Sequence, residues 1–403
     1  MPKGMVINMK FKALSAGVLI ICIFLASCVP NEASSPASPP LTQSQPAALP
    51  EPTAAPSDDT SQLRGNAVPN LPAITPLTDD EKSILGSLRQ VDDIPLYVME
   101  YHGDYNPNAL ASLNHAFNIT PMCSTFAVKG SSDTIFARNH DFFDTSVLLL
   151  YNKPTNGYAS VSLVDLKHLG FEDGQNLKEL PPEQLSKLLY APYLAIDGMN
   201  ECGLAVGTMT VPKASDSREN APKIFFLAAL REILDHAQNT AEAISIFEKY
   251  QVAFSVLPAH FLIADKSGDM AVIEYVGGKM QVLKNDANWQ AITNFTLYDS
   301  KGILNAYKNS GKTERDDLAD DSIWRYMTLE DSLMKSADGL SFPDAMSLLK
   351  NVSTLERNNV INNTQWSVVY GLESGRAELV VHMDYDNPVS FQLDSEDGLT
   401  MNP

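Results

Sequence analysis

The chain has 403 residues and a hydrophobic share of 44%, enough for one large or two average globular domains with a sizeable buried core. Its formal charge of -20 and isoelectric point near 4.7 argue against nucleic acid as a partner, because phosphate binding needs clustered Lys and Arg and no basic block occurs beyond the amino-terminal segment. The acidity itself reads as solvation and mutual repulsion rather than selection for a cationic ligand.

Residues 1–28 read as an export signal: Lys3, Lys10 and Lys12 precede an apolar run from Ala13 to Ala26 that is short for a membrane span. The run closes in Leu25-Ala26-Ser27-Cys28, which resembles the lipobox of bacterial lipoproteins, whose cysteine is lipidated and becomes the mature amino terminus. The alternative is an ordinary signal peptide with a chance cysteine. On the first reading the protein is exported and held to a membrane through a lipid anchor on Cys28, and Cys22 leaves with the signal. Cys123 and Cys202 then remain, and an oxidising compartment would favour their pairing where geometry allows. Residues 29–76 are dominated by Pro, Ala, Ser and Thr with few large apolar side chains, the composition of a disordered tether.

Order is expected from about Leu77 onward, as one catalytic domain, 77–403. Thr78 is an N-cap candidate followed by Asp79, Asp80 and Glu81, and the spacing of Ile84, Leu85 and Leu88 predicts a helix of about three turns. Pro95–Tyr101 reads as a strand. Thr125–Val128 and Thr134–Ala137 flank a turn at 129–133 and predict a hairpin. Strands follow at Ala159–Val164 and Leu204–Met209. Helices are expected over Lys223–Ala237, opened by Pro222, and over Ala241–Tyr250 behind an Asn239 cap. His260–Ala264, Ala271–Val276 and Met280–Leu283 read as a meander, 316–334 and 343–349 as helical, and Trp366–Tyr370 and Ala377–His382 as closing strands. This order predicts an α+β class, with antiparallel sheets covered by helices on their outer faces.

The most informative stretch is Met122-Cys123-Ser124-Thr125-Phe126-Ala127, followed after the hairpin by Phe136-Ala137-Arg138-Asn139-His140-Asp141-Phe142. It resembles the N-terminal-nucleophile (Ntn) hydrolases of the choloylglycine hydrolase, penicillin V acylase and acid ceramidase group, and the related acyl-coenzyme A:6-aminopenicillanic acid acyltransferases. The resemblance continues at 197–204, 261–265, 292–294, 321–326 and 366–370, in the family's order. The spacing from Cys123 to Arg138 is about a residue shorter than usual, which a tighter turn absorbs. The long segment before Cys123 is closer to the branch that keeps its leader, here 77–122, as a small subunit beside 123–403.

The resemblance implies an αββα four-layer sandwich, autoproteolysis between Met122 and Cys123, association of the two fragments, and a catalytic set of Cys123, Arg138, Asp141, Asn294 and Arg325. A neighbouring cation such as Arg138 lowers a thiol's pKa. A free α-amine on Cys123 can take the thiol proton and deliver it to the leaving amine, with Asp141 orienting it. An amide donor such as Asn294 suits an oxyanion, and Arg325 completes the polar site. Each residue has a plainer alternative: an inert cysteine, an Arg138–Asp141 ion pair, a turn cap at Asn294, a solvated helix face for Arg325. Cys202 and His140 are read as packing residues.

No metal is expected, since the seven histidines are scattered and no His-Glu-x-x-His or Cys-x-x-Cys occurs. No cofactor is expected either, because no phosphate loop or dinucleotide motif is present. The function implied is cofactor-free hydrolysis of linear amide C–N bonds in a small-molecule N-acyl amide, through an acyl-thioester on Cys123. Acyl transfer, and a surface lipoprotein that binds without turnover, are the alternatives.

Overall fold

The computed structural model describes residues 71–105, 122–254, 257–315, 318–355, 363–394 and 398–402, which all fall in one compact unit, Asp58–Pro403. The expected signal segment, Cys28 and the tether before Leu71 lie outside the described residues.

Thr78 caps α1 (Asp79–Gly86): its hydroxyl accepts from the Glu81 amide, and the Glu81 carboxylate accepts from the Thr78 amide. Ile84 and Leu85 are buried. The helix is about two turns long rather than three, because Ser87 leaves it to bond the backbone of Glu100 on the neighbouring strand.

Eight strands follow in chain order: β1 (Arg89–Gln90), β2 (Leu96–His102), β3 (Met122–Lys129), β4 (Thr134–Phe142), β5 (Val147–Lys153), β6 (Ser160–Asp165), β7 (Ala195–Asn200) and β8 (Leu204–Thr210). Of these, β1, β5 and β7 have no counterpart in the sequence reading. The first is two residues long, the second is a continuous apolar run without alternation, and the third is broken by Asp197-Gly198, which reads as a turn.

Lys223–Phe225 is not helical as expected. It forms β9, parallel to β10 (Gln251–Ala253), with Pro222 O accepting the Gln251 amide at 2.9 Å. Helix α2 (Phe226–His236) therefore starts later. Helix α3 (Thr240–Lys249) begins behind Asn239, whose side chain accepts from the Glu242 amide. Then come β11 (Ala259–Asp265), β12 (Met270–Val276), β13 (Lys279–Leu283), β14 (Trp289–Ile292), α4 (Lys301–Ser310), α5 (Leu318–Leu333), α6 (Phe342–Asn351), β15 (Asn363–Gly371), β16 (Arg376–Val381), β17 (Val389–Asp394) and β18 (Gly398–Asn402).

Among the described residues the strands build a nine-stranded sheet, β1-β2-β5-β6-β7-β8-β11-β12-β13, and a seven-stranded sheet, β14-β3-β4-β15-β16-β17-β18. The sheets face each other, with β3 against β8 and β11. Helices α2 and α3 cover the outer face of the first sheet, and α5 and α6 cover that of the second. The result is α+β with four layers, αββα. One core, containing Phe136, Met199, Leu262 and Trp366, fills the space between the sheets and under α2 and α3. A second, containing Phe126, Ile135, Leu329 and Leu349, lies between the seven-stranded sheet and its helices.

Candidate active site

Strand alternation decides which residues can meet at Cys123. The β3–β4 register pairs Cys123 with His140 and Thr125 with Arg138, so Arg138 and His140 share a sheet face, and Asn139 and Asp141 take the other. On the inner face the Arg138 Nη2 donates to Cys123 Sγ at 3.3 Å, and His140 Nδ1 stands 3.9 Å from the same sulfur. Arg138 is itself anchored by donating to the carbonyls of Ile196 and Thr208, and its Nε lies 3.4 Å from Asp197. Gly207 permits this approach of the two sheets, since a Cβ there would stand 3.1 Å from the Phe136 ring and 3.3 Å from Arg138 Nη1.

On the outer face a second arginine holds the backbone of the same residue. Arg325, on α5, donates to Cys123 O, to Ser124 Oγ at 2.8 Å and to Asn294 Oδ1 at 3.0 Å, while Asp321 accepts its Nε at 2.7 Å. This interior placement differs from the solvated helix face weighed for Arg325. Ladder β14 ends at Ile292, and just beyond it the Asn294 side chain replaces the next ladder partner: its Oδ1 accepts the Cys123 N–H at 2.7 Å. Its Nδ2 donates to Thr210 O at 2.9 Å and to Thr210 Oγ1 at 3.1 Å.

Of the expected residues, Arg138, Asn294 and Arg325 contact Cys123 directly, and the contacts of Asp141 and Asn294 differ from those expected. Asp141, expected to orient the Cys123 amine, lies on the opposite face from the thiol. Its carboxylate accepts from Thr364 at 2.6 Å and Thr354 at 3.1 Å, and in the intact chain Asn294 is the group that receives the Cys123 N–H. Asn294, expected as an oxyanion donor, has its amide nitrogen on Thr210. Asp141 and Arg138 belong to separate clusters and make no ion pair. Cys123 and Cys202 are both free thiols, so the alternative of a disulfide is not realised.

Electrostatics also modify the expected activation. Burial pushes the Cys123 thiol above its ordinary range, and Arg138 only partly offsets this. Burial likewise raises the Asp141 carboxyl against the pull of Arg325. Burial would raise Asp165 too, but His168, His140 and Thr145 together bring it down to about 2. His140 is lowered by burial to about 4, despite its bond to Asp165.

His140 and Asp165 were missed in the sequence, where His140 passed for a packing residue. It does pack, stacking on Trp366 at 4.1 Å. The available signal was the hairpin: counting back from the 130–133 turn sets Cys123 opposite His140. Asp165 gave no signal, because the β6 end that carries it is remote in sequence and reaches the site only through the facing sheet.

A small pocket of about 30 Å³ borders Cys123, and its walls include Ile196, Met209, Phe226, Leu227, Leu257 and Ala259. These side chains present apolar surface beside the buried thiol. Among the described residues no group of His, Cys, Asp and Glu is arranged to hold a metal ion.

The acyl-coenzyme A:6-aminopenicillanic acid acyl-transferase family matches residues 128–385, beginning five residues after Cys123. A penicillin V acylase from Pectobacterium atrosepticum is 30% identical over 125 residues, which are 28% of this chain and 33% of that protein. The chain thus spans about a third of the length of this curated relative. Among solved structures, a variant of conjugated bile acid hydrolase from Clostridium perfringens superposes with a TM-score of 0.50 at 17% identity, covering 70% of this chain and 96% of its own. The penicillin V acylase of Agrobacterium tumefaciens gives a TM-score of 0.49 at 19% identity, over 68% and 87%. The fold expected from the sequence, the αββα Ntn sandwich, is the fold observed.

Proposed function

The chain belongs to the acyl-coenzyme A:6-aminopenicillanic acid acyl-transferase family, and from that premise we propose that it cleaves linear amide C–N bonds in small N-acyl amides through an acyl-thioester on Cys123. The observation that carries this reading is the placement of the Cys123 thiol, 3.3 Å from the Arg138 guanidinium, beside a small pocket walled in part by Met209, Phe226 and Leu227. A cut after Met122 turns the Cys123 amide into an α-amine, whose reference pKa near 7.7 to 8.0 suits proton transfer at neutral pH. The amine takes the thiol proton, the thiolate attacks the substrate carbonyl, and the acyl chain lies along Met209, Phe226 and Leu227. Arg138 balances charge on the sulfur, and Arg325 fixes the Cys123 carbonyl. The Asn294 amide exchanges the Thr210 hydroxyl for the oxyanion, an interaction worth about 3 to 4 kcal/mol. The amine then protonates the leaving nitrogen, and water resolves the thioester; a second amine or thiol in its place would give acyl transfer.

Penicillin V and conjugated bile acids, named by the relatives, are the first substrates to try, with N-acyl homoserine lactones, N-acylethanolamines and small acylated peptides beside them. The experiment is a panel of these amides with recombinant protein lacking residues 1–28, accompanied by intact mass before and after denaturation. The expected result is a fragment beginning at Cys123 that co-elutes with its leader under native conditions, and turnover of at least one amide that Cys123→Ala abolishes. Turnover that survives Cys123→Ala would exclude the thioester route. An uncut chain without turnover would favour a binding module.

A further inference from the structure

The intact chain poses a chemical problem that the mature enzyme does not. Before the Met122–Cys123 bond is cut, the nitrogen of Cys123 is an amide whose proton sits on Asn294 Oδ1, and an amide cannot take a proton from the thiol. We propose that His140, held by Asp165, is the base that deprotonates Cys123 for self-cleavage of the intact chain. The proposal rests on the maturation step of the reading above and adds a residue to it.

Three contacts define the arrangement. His140 Nε2 lies 3.1 Å from Asp165 Oδ2, and Asp165 Oδ1 accepts from Thr145 Oγ1 at 2.6 Å and the Lys167 amide at 2.8 Å. A carboxylate gripped by donors on one oxygen is an acceptor on the other, so Nε2 carries the proton and Nδ1 presents its lone pair. Nδ1 faces Cys123 Sγ at 3.9 Å. The sulfur receives Arg138 Nη2 at 3.3 Å from another direction, which leaves the S–H to point at Nδ1. The Trp366 ring stacked on the imidazole at 4.1 Å fixes its plane. The other charged or titratable group near the ring is His168, whose ring centroid is 6.4 Å away.

The step balances as follows. Nδ1 takes the thiol proton, and Sγ attacks the Met122 carbonyl carbon through a five-membered ring of S, Cβ, Cα, N and C. The C–N bond breaks as the imidazolium returns the proton to the departing nitrogen, leaving a Met122 thioester on Cys123 and a free α-amine. Water hydrolyses the thioester to the Met122 carboxylate and the Cys123 thiol. From then on the α-amine serves as the base, and His140 becomes secondary.

The test compares wild type, His140→Gln and Asp165→Asn, each without residues 1–28, following the intact mass of freshly made chain with and without neutral hydroxylamine, which captures a thioester, and scoring only the cut between Met122 and Cys123 because Asn156-Gly157 is a second hydroxylamine-sensitive bond. Asp165 is a positioning residue, and its amide variant removes the tautomer preference while leaving the imidazole in place. The expected result is cleavage slowed by about a hundredfold or more in both variants, with amide turnover per cleaved chain reduced far less. A merely structural defect would lower both quantities together. Wild-type cleavage rates in both variants, or equal losses in cleavage and turnover, would overturn the proposal alone. A wild-type chain that stays intact even in hydroxylamine would overturn the maturation reading and this proposal with it.

Discussion

A buried neutral histidine leaves a thermodynamic trace that does not depend on activity. His140 is lowered by burial from the ordinary 6.5 to about 4 in the folded chain. Below pH 6.5 the unfolded chain takes up a proton that the folded chain refuses, so stability falls with pH through this window and levels off below about 4. The ring is fully buried, so the shift converts to free energy without a discount for solvent screening. Between pH 8 and pH 5 it corresponds to a loss of about 2 kcal/mol, and in full to about 3 kcal/mol. The perturbation is His140→Gln, which retains a donor for Asp165 but has no titration. Asp165, at about 2, stays ionised across the window, and His168, lowered by burial in the same direction, is present in both proteins. Urea unfolding of both proteins at pH 8, 6.5 and 5 should show the wild-type stability, relative to the variant, dropping by about 2 kcal/mol toward pH 5. A flat difference would mean that the folded ring titrates like the unfolded one and refute the lowered pKa, whereas a difference that grows as pH falls would mean the folded ring is held charged and unable to serve as the base.

Arg325→Met should destabilise the fold by about 3 kcal/mol, the low end for breaking a buried charge pair because Asp321 keeps Arg315 as a partner; an unchanged melting temperature would contradict the role given to this arginine. Cys28→Ala should move the protein from the membrane fraction to the soluble fraction of its host, and a soluble wild type would refute the lipid anchor.

The sequence was most readable where one physical signal dominated. Thr78 with Glu81, and Asn239 with Glu242, are caps whose donors and acceptors are local, and both appear as expected. Alternation and turn chemistry placed β3, β11 and β12 to within a few residues, and the start of β4 but not its end at Phe142. Legibility failed where pairing between distant segments decides the outcome. Lys223–Phe225 has a helix-like neighbourhood, but Gln251–Ala253 lies beside it and makes it a strand. Val147–Lys153 is apolar on both sides because β5 sits between β2 and β6 inside a covered sheet, and such a run has no period to read. At the site the residue set came from resemblance, but roles did not. Asp141 was expected to orient the amine, and the period of two in β4 puts its carboxylate on the face opposite the thiol, against Thr354 and Thr364.

That division of faces bears on how one cysteine could serve two reactions. The thiol belongs to the inner face, with Arg138 and His140, whereas Ser124 Oγ faces outward to Arg325 and the backbone of Cys123 is held by Arg325 and Asn294. A cut at Met122–Cys123 changes an amide donor into an amine donor facing the same Asn294 oxygen, and demands no rearrangement of either arginine. The leader would stay for a separate reason. Its strand β2 has β1 on one side and β5 on the other, pairing with β5 in parallel from Leu96 to His102. Leaving would strip the β5 edge of its partner and expose Leu96, Val98 and Met99, which are buried at 0 to 1% exposure. At roughly 1.5 to 3 kcal/mol for each buried aliphatic side chain, these three residues alone resist release by several kcal/mol. On the proposed maturation, cutting the chain would therefore free a nucleophile without freeing a fragment, and a gel-filtration experiment on cleaved protein should find both pieces in one peak.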